Sequence, residues 1–112
     1  MAGGATTRRV RFATAMLVDV EESVRASCAT LLAELGYHVE VVAHPLVASG
    51  SIPVLCPLLV IASASSLVLL QDHAIDLDEL ATAVGGQLVV VPSDATESVV
   101  TALLRDAARA RA

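Results

Sequence analysis

The side chains of this chain that could do chemistry fall into three groups: carboxylates, hydroxyls, and a few thiols and imidazoles. Asp19, Glu21 and Glu22 stand together just after an apolar run, Ala15-Met16-Leu17-Val18. Clustered carboxylates are oxygen ligands for a hard cation, so weak Mg2+ binding is one chemistry open to them. The other reading is simpler: acids favour the positive N-terminal end of a helix that follows. Ser63, Ser65 and Ser66 follow a second apolar run. A serine hydroxyl is a poor nucleophile without a neighbouring base. No G-x-S-x-G elbow surrounds these serines and no motif places a histidine beside them, which predicts a polar turn rather than a hydrolase. His44 and His73 adjoin Pro45 and Asp72 and read as exposed loop residues. Cys28 and Cys56 form no CxxC, and with the scattered His38, His44 and His73 they offer no metal-ligand spacing. Both thiols sit among apolar neighbours and read as buried and reduced, as in a cytosolic protein. Asp-Val-Glu-Glu after the first apolar run would repel a phosphate, and no glycine-rich loop is there to hold one.

Composition narrows the classes further. The chain has 112 residues, 55% of them hydrophobic, with one Tyr and one Phe as its only aromatics. This length fits one domain, and this hydrophobicity excludes a disordered chain. Among its 7 basic residues there is no lysine, so Schiff-base and P-loop lysine chemistry are excluded. The net charge of −5 argues against nucleic acid as a partner. That charge is unevenly spread. Arg8, Arg9 and Arg11 lie near one end and Arg105, Arg109 and Arg111 near the other, while residues 12–104 hold Arg25 against eleven carboxylates. Residues 1–11 read as a loose basic tail and residues 12–112 as a single domain. Export is not expected, because Asp19 cuts the apolar run after Arg8-Arg9 too early for a signal peptide. Residues 41–71 lack any Asp, Glu, Arg or Lys, and the stretch 52–70 approaches the length of a membrane span. Pro53, Pro57 and the serines argue against a membrane helix, as does the lack of basic flanks. Two buried strands, at 58–62 and 67–70, joined by a serine-rich turn explain the run better.

The elements that position these groups follow from periodicity. Residues 14–19 read as a strand. Val24, Cys28, Leu31, Leu32 and Leu35 share one helical face, closed by Gly36. A strand at 39–43 precedes a short, weak helix near 44–51, and the two buried strands come next. Asp76 and Glu79 have capping-box spacing before Leu77, Leu80, Ala81 and Val84, with Gly85-Gly86 as the stop. Leu88 to Val91 is a fifth strand, and Asp94 with Glu97 opens a last helix with the stripe Val99, Val100, Leu103, Leu104 and Ala107. This order predicts an α/β fold: a mostly parallel five-stranded sheet with helices on both faces, one helix reduced or missing. The tight link at 62–67 leaves room for one antiparallel pairing.

The passage Met16-Leu17-Val18-Asp19-Val20-Glu21-Glu22-Ser23-Val24-Arg25, continuing through Leu35-Gly36-Tyr37-His38-Val39, resembles the opening of response-regulator receiver domains. Gly85-Gly86-Gln87-Leu88-Val89-Val90-Val91-Pro92 is similar to their closing passage. The resemblance implies a flavodoxin-like, receiver-like fold. In that family an aspartate after the third strand is phosphorylated, paired acids after the first strand help hold Mg2+, and a lysine completes the switch. By this correspondence Asp19 matches the first acidic position, Val20 replaces the second and Glu21 follows it. Ser63 stands at the acceptor position and Val91 at the lysine position. The chain then resembles a degenerate, shortened pseudo-receiver: cytoplasmic, non-catalytic and without a cofactor, acting in signal transduction or assembly. Its partner would be a protein or a second copy in a homodimer. The family's usual dimerisation face suggests Ala102, Arg105, Ala108 and Arg109 as the contact surface. The competing reading is a small ligand- or metal-binding domain, or an enzyme, using a strand-end cleft near Asp19, Glu22 and Ser63.

Overall fold

The structure is a computed structural model that describes residues 13–111. The basic tail expected at 1–11, with Arg8, Arg9 and Arg11, lies outside the described residues. Four strands and five helices follow in the order β1 (Ala13–Val18), α1 (Glu22–Glu34), β2 (Tyr37–Val42), α2 (Pro45–Leu55), β3 (Leu59–Ser63), α3 (Ala64–Asp72), α4 (Leu77–Ala83), β4 (Gln87–Val91) and α5 (Glu97–Arg111). The strands form one sheet in the order β2-β1-β3-β4, and every pairing is parallel. The allowance for an antiparallel pair is thereby corrected.

Helices cover both faces of the sheet. On one face Leu17, Leu59, Ile61 and Val89 pack with Val24, Cys28 and Leu32 of α1 and with Val100 and Leu104 of α5. On the other, Met16, Val18, Val60 and Ala62 pack with Ala48 and Ile52 of α2, Leu70 of α3, and Leu77 and Ala81 of α4. β1 and β3 are central and covered on both sides, so Ala15 to Val18 and Leu59 to Ala62 are fully buried. Their unbroken apolar runs have this cause. Each buried Leu, Ile or Val contributes roughly 1.5–3 kcal/mol.

The sheet has four strands rather than five because residues 67–70 are helical. Ser63 caps α3: its Oγ accepts a hydrogen bond from the Ser66 backbone N–H at 3.3 Å. Ser66 and Leu70, four residues apart, are buried, while Val68 between them is 60% exposed. That is a helical rhythm; a strand would place Ser66, Val68 and Leu70 on the same side. The strand expected at 67–70 is thus part of α3, and the expected serine turn is the first turn of that helix. The element between β2 and β3 is also longer than expected, because α2 runs for 11 residues. His44 starts it, with Nδ1 accepting from the Leu46 N–H at 3.2 Å, and Pro45 occupies the first turn, where its missing donor costs nothing.

Two other boundaries follow from local chemistry. The Asp76 carboxylate accepts from the Glu79 N–H at 3.1 Å, as the capping pattern predicts. Gly86 then brings the chain tight against the start of β3: a Cβ at this position would sit 2.3 Å from the Pro57 carbonyl oxygen. At α5 the cap is Thr96, whose Oγ1 accepts from the Val99 N–H at 3.4 Å, and not Asp94.

Candidate functional site

The carboxyl ends of β1, β3 and β4 open into one cleft of about 260 Å³. Asp19, Val20, Glu21, Ser63 and Val91 all line it, together with Val24, Ser65, Pro92, Ser93 and Ala95. Parallel strands bring their carboxyl ends to one side of the sheet, which gathers residues as far apart in sequence as 19, 63 and 91. The sequence reading missed Ser93 in the turn after β4. Pro92-Ser93-Asp94 after an apolar strand was the available signal.

Three of the cleft's polar side chains, Glu21, Ser63 and Ser65, are engaged in local hydrogen bonds. Ser63 Oγ lies 3.2 Å from Ser65 Oγ and 2.8 Å from Ser66 Oγ, in addition to its capping bond. This hydroxyl is committed to α3, and among the described residues no base hydrogen-bonds to it. Glu21 precedes α1 and accepts a hydrogen bond from Ser23 Oγ at 2.9 Å. Asp19 leads out of β1 with φ 50°, in the left-handed region, and its backbone N–H donates to the Val42 carbonyl at 2.9 Å. Aspartate tolerates this conformation better than most residues. Val20 and Val91 are buried in the core layer beneath the cleft.

Glu22 does not join this group. It points along α1, where its carboxylate lies 3.8 Å from the Arg25 guanidinium, and it is exposed. The cleft lining therefore holds Glu21 and not Glu22: α1 begins at Glu22, whereas Glu21 before it has the extended ψ of 138°. Among the described residues no three His, Cys, Asp or Glu side chains are grouped as a metal site.

The α5 residues lie at the opposite end of the sheet. Arg105, Ala108 and Arg109 line an open groove of about 570 Å³ with Ala13, Leu35, Tyr37 and Leu58, at the amino ends of the strands. Arg109 is held by Asp106 at 3.1 Å. Ala102 is exposed on α5 but outside this groove. The four residues therefore do not form one continuous lining.

The two thiols differ. Cys28 is buried in the α1–α5 layer, and its pKa is raised by burial and, secondarily, by the negative charge of Glu97. Ser27, beside it, hydrogen-bonds the Glu97 carboxylate. Cys56, expected to be buried, is exposed: it closes α2 in the left-handed conformation at φ 49° and leaves the apolar layers. No helix of the described residues is long and apolar enough to cross a membrane. The uncharged stretch is divided instead between α2, β3 and α3. Compared with models of known protein families and with curated protein sequences, the chain matches none.

Proposed function

We propose that this chain is a receiver-like protein-interaction module that carries out no phosphoryl transfer of its own. The observation that carries the reading is the makeup of the strand-end cleft. Among the described residues ten line it, and they include two carboxylates, Asp19 and Glu21, and no cation. Transfer of a phosphoryl group onto a side chain needs a nucleophile and positive charge to neutralise the group. Ser63 at the expected acceptor position is a helix cap, and Val91 at the expected lysine position is an apolar core residue. The strand order β2-β1-β3-β4 is compatible with a flavodoxin-like sheet shortened by one strand, which supports the receiver-like reading. What remains for function is contact through the surface, with a protein or a second copy as partner.

The test is incubation of the intact chain with acetyl phosphate and Mg2+, followed by whole-protein mass measurement. The expected result is an unchanged mass. Stoichiometric gain of a phosphoryl group would overturn the proposal.

A further inference from the structure

The sheet ends in two edges that differ in protection. Exposed edges invite pairing with another strand, and proteins guard them with charge, proline or bulges. β2 is guarded: His38 and Glu40 stand on it, 2.6 Å apart. β4 is Gln87-Leu88-Val89-Val90-Val91, with no charge and no proline. Among the described residues no strand pairs with its outer edge. The Gln87 N–H donates inward to the Leu58 carbonyl, so by alternation the backbone groups of Leu88 and Val90 point outward.

The side chains beside this edge are self-complementary. Val90 is a knob, 38% exposed. Two residues away on the same face, Leu88 lines an apolar hollow of about 320 Å³ with Leu67, Ile75 and Leu77. Asp76 and Asp78 also line this hollow.

We propose that the outer edge of β4 is the site where a second copy of this chain docks, antiparallel, about a two-fold axis through Val89. This rests on the reading of the chain as an interaction module and names its partner. The axis sets Leu88 opposite Val90 of the other copy. Those are the residues with outward backbone groups, so each such pair exchanges two hydrogen bonds. The same operation places each Val90 knob against the other copy's hollow, as an isologous interface requires. β4 carries no charged side chain to desolvate at the seam, whereas β2 would have to bring His38 and Glu40 out of water. Pro92, lacking an N–H, stops the ladder at the end of β4.

The experiment is light scattering on the full chain and two variants, with amide hydrogen exchange on the unmodified chain. Val90→Glu puts a carboxylate at the knob, against Asp76 and Asp78 of the other copy. Val54→Glu is the control, on α2, where Val54 is 79% exposed. The expected results are a mass twice 11.5 kDa for the full chain and for Val54→Glu, and a monomer for Val90→Glu that keeps its circular dichroism spectrum. Protection of the Leu88 and Val90 amides is expected to fall on dilution. Three results would each overturn the proposal: a monomeric full chain, a Val90→Glu variant that stays dimeric, or protection independent of concentration. A persistent dimer in Val90→Glu would remove this site and leave the interaction-module reading standing, while phosphorylation would remove that reading and leave the dimer measurement unaffected.

Discussion

The strand-end cleft and the outer edge of β4 share a strand but offer opposite kinds of surface. In the cleft, serine hydroxyls bond to one another and Glu21 bonds to Ser23. No cation lines it. Along the edge, apolar side chains flank backbone donors and acceptors that have no strand beside them among the described residues. The first region looks like a site because strand ends collect polar residues, yet its hydroxyls serve the local structure. The second is almost without polar side chains, yet it presents directional hydrogen-bonding groups. Position in a fold suggests where to look, and unsatisfied groups say what the surface can do.

Perturbations that separate the two regions differ in size. The largest effect is expected in the layer beneath both: Ile61→Ala, at a fully buried site in β3, should cost about 3 kcal/mol in urea unfolding through lost burial and a cavity. It should loosen cleft and edge together. Ser63→Ala comes next, at about 1–2 kcal/mol, because it removes the α3 cap and a partner of the buried Ser66 hydroxyl. Ser63→Asp restores a capping acceptor and should recover most of that loss. If Ser63→Ala were silent in denaturation, the cleft hydroxyl would be free for another role and the comparison would fail. Val90→Glu, measured at a concentration where the chain is monomeric, should change stability by no more than about 0.5 kcal/mol, since edge side chains away from the core contribute little.

The smallest effect concerns the thiols and depends on pH. The pKa of Cys28 is raised in the folded chain above the ordinary thiol value, by burial and then by Glu97. Its unfolded form therefore ionises first as the pH rises. Stability from this group is complete below that value and falls as pH climbs through it towards the folded pKa. Thiol alkylation of the native chain should modify the exposed Cys56 rapidly and Cys28 slowly. Equal rates would show that the α1–α5 layer opens readily.

Much of this was legible in the sequence where a pattern had one meaning. β1 is an apolar run between Thr14 and Asp19, β3 is one between Pro57 and Ser63, Val24, Cys28, Leu31 and Leu32 of α1 show helical spacing, and Asp76 begins α4 as its spacing predicts. Residues 67–70 were ambiguous, because four consecutive apolar residues fit a buried strand or a helix equally well. The deciding facts are the local Ser63 cap and, in the folded chain, the buried Ser66 and the exposed Val68. α2 looked weak because Gly50, Ser49, Ser51 and Pro53 are poor helix residues, and burial of Ala48 and Ile52 overrides that preference. The cleft residues were found because strand ends were found. The hollow beside Leu88 was not, because it exists only once α3, at a place where a strand was expected, stands beside α4.

The most direct test of the contrast is a dilution series followed by two-dimensional amide NMR, which reads both regions at once. The account predicts that the signals of Leu88, Val90 and the neighbouring Ile75 and Leu77 move with protein concentration, while those of Val20, Ser63 and Ser65 stay fixed. Concentration-independent signals along β4, with movement confined to the cleft, would contradict it.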